Sequence, residues 1–234
     1  MCARYVDGEE AAFIQNTQLY LNDIKNIFPI DFIKQLNRIN FCGNYGDPLA
    51  AKDLLPVIDY FKTHNESIRI EINTNGSART VAWWKALADL MGATEYAGGV
   101  WFGLDGVGET NALYRRNTKW NIIMRNAKAY IKAGGIAHWN FIAFKHNEHQ
   151  IPIAQALATK MGFKHFNIKL TDRFRREVSF PVIVKGEHLY DLEPPKEKDH
   201  QRPPAVNRQQ PRHVKHPTNA MMGAAKIIEK YRKE

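Results

Sequence analysis

The sequence predicts an α/β fold with a parallel sheet, and three observations carry that prediction. Five apolar segments with strand character are centred near Asn40, Ile70, Phe102, Phe141 and Ile168, at separations of 30, 32, 39 and 27 residues. Helix-patterned stretches fill the intervals between them. Glycine- or asparagine-bearing turns close several of these segments at their carboxyl ends. Strands alternating with helices at this spacing mark repeated βα units, whose right-handed crossovers put all strand carboxyl ends on one edge. Ligands bind at that edge in open sheets and barrels alike.

Residues 7–37 read as mainly helical, with apolar Phe13, Leu19, Ile24, Ile27, Phe28, Phe32 and Leu36 and an interruption at Pro29. The strand Ile39–Cys42 follows and breaks into Gly43-Asn44-Tyr45-Gly46-Asp47-Pro48. Gly43 and Gly46 let a ligand approach the main chain. Asp47 is placed to cap the next helical turn, and Pro48 fits its first position. A carboxylate beside exposed backbone at a strand end suits a ligand's ammonium group. Cys42, within an apolar strand, is expected to pack as a small hydrophobe.

A helical segment over Leu54–Phe61 precedes Ile68–Asn73, where isoleucine alternates strictly with polar residues, a strand signal. Thr74-Asn75-Gly76-Ser77 then turns the chain into a helix that reaches Met91. Trp83 and Trp84 are adjacent on that helix, so only one is expected to be well buried. The third strand is Val100–Asp105, closed by Gly106. Lys119–Ala133 is the clearest helix, with Ile123, Ala127 and Ile131 on one stripe, Thr118 as its cap and Gly134-Gly135 at its end. Ile136–Phe144 is the fourth strand, His149–Met161 a helix ended by Gly162, and His165–Leu170 the fifth strand. His138, His146, His149 and His165 lack a metal-ligand spacing and are read as packing or surface residues. Arg173, Arg175 and Arg176 read as a solvated basic stretch.

The 234 residues, 44% hydrophobic and 24% charged, suffice for one sizeable core. No apolar run approaches a membrane span and no signal-peptide pattern opens the chain, so a cytoplasmic location is expected. Cys2 and Cys42 are too few for a disulfide framework. Of the formal charge of +9, the segment from Lys196 to Glu234 holds +6, from ten Lys or Arg against four acids. The remaining 195 residues therefore lack a nucleic-acid footprint, and neither nucleic acid nor membrane is an expected partner. Glu193–Pro217 holds six prolines and no aromatic residue, which predicts an extended or disordered segment, and Asn219–Tyr231 is patterned for a short amphipathic helix. The expected division is a folded domain over 1–192 and a Pro-rich basic linker with a short helix over 193–234.

With these elements in place, Tyr45-Gly46-Asp47-Pro48 resembles the Gly-Gly-Glu-Pro turn of the radical S-adenosylmethionine (SAM) superfamily. Thr74-Asn75-Gly76 is similar to the Thr-Asn-Gly that ends that family's next strand, and Gly103-Leu104-Asp105-Gly106 to its Ser-x-Asp-Gly, with Gly103 in place of serine. Tyr114-Arg115-Arg116 resembles an arginine segment near the SAM carboxylate, and Asn147 matches a recurrent polar position. The order of these features over roughly residues 1–175 carries the likeness. It implies a partial (β/α)6 TIM-like barrel of parallel strands with the first strand missing, and two cofactors, SAM and a [4Fe–4S] cluster. In that family the reduced cluster passes an electron to SAM, and the resulting 5′-deoxyadenosyl radical abstracts a substrate hydrogen. The resemblance assigns Asp47 and nearby backbone to the SAM amino group, Asp105 and Asn147 to the ribose side, and Arg115 or Arg116 to the carboxylate. Tyr45, Gly46, Thr74 and Asn75 complete the implied SAM-binding set.

Family members hold the cluster with Cys-x-x-x-Cys-x-x-Cys, and this sequence has no such triplet. Met1-Cys2-Ala3-Arg4-Tyr5 resembles the end of that motif, which makes Cys2 the implied metal ligand. On this reading the first strand and two cysteines lie upstream of Met1, and a cysteine-rich auxiliary domain is missing downstream. The implied partners are a reductant such as a flavodoxin or ferredoxin, a separately encoded N-terminal piece, and a substrate of which peptide is one class. Two rival readings are a split or degenerate barrel serving as a binding or assembly module, and an iron-free α/β enzyme for a nucleotide or sugar phosphate.

Overall fold

The computed structural model describes residues 5–6, 9–10, 17–43, 46–93, 96, 98–171, 174 and 178–200. Cys2, Asn44, Tyr45, Arg173, Arg175, Arg176, the proline-rich segment after His200 and the Asn219–Tyr231 helix lie outside the described residues. The chain begins with a short antiparallel pair, β1 (Tyr5–Val6) and β2 (Glu9–Glu10), followed by helices α1 (Leu21–Ile27) and α2 (Ile30–Ile33). The helix expected over 7–37 is thus corrected. Glu9 and Glu10 pair with Tyr5 and Val6 instead of entering a helix, and Pro29 separates α1 from α2.

Then come β3 (Arg38–Phe41), α3 (Leu54–His64), β4 (Arg69–Thr74), α4 (Val81–Met91) and β5 (Gly98–Gly103). They are followed by α5 (Thr110–Tyr114), α6 (Trp120–Lys132), β6 (Ala137–Ile142), α7 (Ile151–Met161) and β7 (His165–Lys169). The sheet runs β3-β4-β5-β6-β7 with every pairing parallel, so chain order is spatial order. Ile70, Ile72, Val100, Phe102, Trp139 and Phe141 are completely buried on the helix-facing side. The residues between them, including Asn73, Trp101 and Asn140, border a cleft on the other side. Period-two alternation therefore separates the core from the site.

The helices close the core with stripes at helical spacing: Leu54, Val57, Ile58 and Phe61 on α3, and Trp84, Leu87, Ala88 and Met91 on α4. Trp84 is fully buried, stacks on Phe102 at 5.3 Å between centroids, and donates through Nε1 to the Ala78 carbonyl at 3.0 Å. Its neighbour Trp83 is half-buried, so the pair divides as expected. Thr80 caps α4 by accepting from the Trp83 N–H, whereas Thr118 does not cap α6. The Thr118 hydroxyl instead donates to the Arg115 carbonyl at 2.6 Å and accepts from Asn111 Nδ2, stiffening the turn that carries Arg115.

A hairpin that the sequence reading missed follows the sheet: β8 (Phe180–Val184) and β9 (Glu187–Leu192). Lys185 and Gly186 join them with φ of 51° and 78°, the paired positive values of a type I′ turn. Val182 and Leu192 build a second small core with Tyr114 and Phe144. No helix among the described residues is long and apolar enough to cross a membrane.

Candidate functional site

The strand carboxyl ends surround a cavity of about 770 Å³, within the range that holds small-molecule ligands. One corner is built on Asp47. Its Oδ1 accepts from the Leu49 N–H at 3.0 Å, which caps the 3₁₀ turn Pro48–Ala50. Its Oδ2 accepts from the Asn75 N–H at 2.9 Å, and the Thr74 hydroxyl lies 2.8 Å from both oxygens. Three donors occupy three of the roughly four lone-pair positions of a carboxylate. One position and the negative charge remain toward the cleft, which Asp47, Thr74 and Asn75 all line. The preceding turn is tight, since a Cβ on Gly43 would fall 1.2 Å from the Gly46 carbonyl oxygen, so only glycine fits.

Asp47→Ala is expected to lower stability by roughly 1–3 kcal/mol, because Leu49 N–H, Asn75 N–H and the Thr74 hydroxyl all lose an acceptor. Asp47→Asn should recover less than half of that loss, since its NH₂ meets a donor. Urea denaturation measures both, and a wild-type midpoint for Asp47→Ala would contradict the assignment.

The opposite corner is built on Arg115. Asp105, at 0% exposure, accepts through Oδ2 from Arg115 Nε at 2.6 Å and through Oδ1 from the Ile142 N–H at 2.6 Å. Its backbone N–H donates to Asn111 Oδ1 and its carbonyl accepts from Asn147 Nδ2 at 2.9 Å. Asn147 is also fully buried, and its Oδ1 accepts from the Phe144 N–H. Asp105 and Asn147 therefore form a joint linking the ends of β5 and β6, and neither lines the cleft. Arg115, with 29% of its side chain exposed, does line it. Burial works against the Arg115 charge, but Asp105, with Tyr114 and Asp47 beyond it, outweighs burial and raises its pKa above the ordinary arginine value.

Gly103 explains where the guanidinium lies. A Cβ at that position would sit 2.7 Å from Arg115 Nη2 and 3.0 Å from Cζ. The guanidinium rests over bare backbone, with Nε committed to Asp105 and the two Nη groups at the cleft wall. The absent serine at 103 is thus the space that Arg115 occupies. Arg116 points elsewhere: its Nη1 donates to Tyr190 Oη at 3.1 Å, tying it to the β8–β9 hairpin. Of the two arginines left open by the sequence, only Arg115 reaches the cavity. His146 stacks on Phe144 at 5.4 Å beside this joint. Burial lowers its pKa, His149 adds to that, and Asp105 opposes it.

Cys42 is corrected. It is exposed and lines the cleft just past β3, because Ile39 and Phe41 take the core-facing phase and Cys42 the other. The sequence reading also passed over Trp101, Asn140 and Lys169, which line the cleft. The signal was present, since each alternates with a core residue on its strand.

The donor set fits SAM: Asp47 offers a carboxylate for an ammonium, Arg115 a guanidinium for a carboxylate, and the cradle over Gly103 fixes the latter. The thiolate set does not fit a [4Fe–4S] cluster. Leaving one iron open for SAM still requires three cysteines, and these 234 residues contain two. Among the described residues no group of three or more His, Cys, Asp and Glu is placed to hold a metal ion.

No family model matches the chain and no curated protein matches it. Solved structures do. SuiB of Streptococcus suis bound to S-adenosylmethionine superposes with a TM-score of 0.53 and 14% identity, over 70% of this chain and 37% of the SuiB chain. SuiB bound to its precursor peptide SuiA gives 0.52 and 14% identity over 66% of this chain and 33% of that one. The protein anSMEcpe with bound AdoMet gives 0.52 and 14% identity over 70% of this chain and 48% of that one. Two of these neighbours are seen with S-adenosylmethionine bound, and the α/β, TIM-like fold with a parallel sheet expected from the sequence is found. The chain spans about a third to a half of their lengths, and at this identity the likeness is one of fold.

Proposed function

We propose that the cleft binds S-adenosylmethionine, as the SAM-binding core of a radical SAM-type protein. The observation that carries this reading is the pairing of opposite charges across one cavity: Asp47 at the end of β3 and Arg115 over Gly103 at the end of β5. The methionine end of SAM carries an ammonium and a carboxylate, which match this polarity. Asp47 contributes its remaining lone pair and charge to the ammonium, with Thr74 and Asn75 fixing its orientation. Arg115 contributes its Nη donors to the carboxylate, a charge-assisted contact of the stronger kind. Asp105 and Asn147 act by holding Arg115 and the ends of β5 and β6 in place.

The neighbours' fold supports enzymatic use of that SAM, and the peptides seen with SuiB and anSMEcpe support a peptide as one substrate class. A [4Fe–4S] cluster with one iron left open would be held by three thiolates. The three thiolates it needs exceed what these residues hold. That count favours a second reading, a barrel piece that binds SAM and acts together with another polypeptide.

Equilibrium dialysis tests the first claim. SAM is expected to bind, and its decarboxylated analogue, which keeps the sulfonium, ribose and adenine, at least ~10-fold more weakly, the least expected for a lost charge-assisted hydrogen bond. Equal affinity would remove Arg115 from the carboxylate, and no binding of SAM would remove the function.

A further inference from the structure

The low net charge of the first 195 residues conceals a segregation. Residues 110–171 contain ten Lys or Arg and one acid, Glu148, a net charge of +9, so the rest of that stretch nets −6. Three of these cations form a stripe on α6. Arg125, Lys128 and Lys132 are exposed, while Ile123, Ala127 and Tyr130 on the opposite side of the helix enter the core. Their spacing of three and four residues puts them on one face, over a rise of about 10 Å. None of the three lines the cleft, which lies on the other side of the sheet from the helices.

The stripe is uncompensated. Among the described residues no ion pair involves Arg125, Lys128 or Lys132. Arg125 donates through Nε and Nη2 only to the neutral Oδ1 of Asn126, at 3.3 and 3.1 Å. Helix α4 packs beside α6 through Trp84 and Tyr130, and its exposed acid, Asp89, pairs with none of the three. On the other flank, a Cβ on Gly162 would lie 3.2 Å from Ile131 Cγ2, so the end of α7 rests against the end of α6. That contact brings the exposed Lys160 to the same end of the helix layer as Lys132. Like charges three and four residues apart on a helix repel, and an anion laid along the face relieves that repulsion.

Sign, surface chemistry and period choose the occupant. The chain's own tail, at +6 over residues 196–234, carries the same sign as the stripe, and a second copy, at +9, is repelled overall. Helix α6 exposes no large apolar side chain to enter a bilayer and no aromatic ring on which bases could stack. An acidic helix has the same period as α6, so carboxylates at its positions i, i+3 and i+7 meet the three cations in turn. We infer that the outer face of α6 is a docking surface for an acidic helix of a partner protein. The surface is independent of the proposed SAM reading.

The test is fluorescence anisotropy of a labelled alanine-based helical peptide with glutamates at i, i+3 and i+7, titrated with the full chain. The salt is set to ~0.1 M, where exposed charges more than about 10 Å apart are screened. Two triple variants lose the same charge: Arg125→Gln with Lys128→Gln and Lys132→Gln on α6, and Lys226→Gln with Lys230→Gln and Arg232→Gln in the tail. Circular dichroism confirms that each is folded. The wild type is expected to bind the peptide, and the α6 variant to bind it at least ~3-fold more weakly, the least expected for three exposed ion pairs. The tail variant is expected to match the wild type. Equal weakening in both variants would assign binding to net charge and overturn the docking surface. So would a wild type that binds no peptide, or one that binds equally well a peptide with its glutamates scattered around the helix. A labelled RNA bound more tightly than the peptide, and weakened by the same α6 substitutions, would overturn the polypeptide partner in favour of nucleic acid.

Discussion

Replacing Arg115 by methionine is expected to destabilise the protein by roughly 3–5 kcal/mol and to remove the carboxylate-dependent part of SAM binding. The stability cost arises at Asp105, which is completely buried and would keep only the Ile142 N–H as partner for its charge. Breaking a buried pair by removing one member costs about that much, because the survivor stays buried and uncompensated. The binding cost arises separately, from the Nη donors at the cleft wall. The two effects can be parted by a cycle with Asp105→Asn. In the double variant the residue at 105 is neutral, its amide oxygen can still accept from Ile142 N–H, and much of the stability should return. SAM affinity should not return. Urea denaturation and dialysis on the four proteins read the two quantities. Recovery of both together would mean that Arg115 acts only as structure.

The second large effect is expected at Gly103. Gly103→Ser places a Cβ within 2.7–3.4 Å of three guanidinium atoms, and the side chain cannot yield freely because Nε is held by Asp105. The guanidinium must shift, and SAM affinity should fall by roughly 1.5–3 kcal/mol, about 10- to 150-fold, the contribution of a hydrogen bond to a charged group. In the Arg115→Met background the same substitution meets no guanidinium and should cost little. This sign of coupling is specific to the cradle. Equal losses in both backgrounds, measured by SAM dialysis, would show that Gly103 matters for another reason.

Much of this architecture was readable before any coordinates. The isoleucine alternation over residues 68–73 gave β4 its place to within one residue, because one strand face must be apolar wherever a sheet is covered by helices. Asp47 with Pro48 announced a capped turn, and that turn is present. Orientation at strand ends was not legible. The resemblance places Asp105 and Asn147 on the ribose side, and in the structure both turn inward and join the loops after β5 and β6. Only the depth of the neighbouring side chains decides, and sequence does not report depth. Cys42 failed for the opposite reason: it was averaged into an apolar strand, although phase alone put it with Asn40 on the cleft side. The β8–β9 hairpin escaped because its turn places a lysine at positive φ, where glycine or asparagine is the usual signal.

Cys42 also supplies the most direct test of the central claim, that SAM occupies this cleft. In a Cys2→Ser background it is the sole thiol, and it is exposed at the cavity wall beside Gly43 and Asp47. The rate of its alkylation by iodoacetamide, followed by intact-mass spectrometry, reports occupancy at that wall. Saturating SAM is expected to slow the reaction at least several-fold in the otherwise unaltered chain, and to slow it far less at the same concentration when Arg115 is methionine. An alkylation rate that SAM leaves unchanged would contradict the assignment.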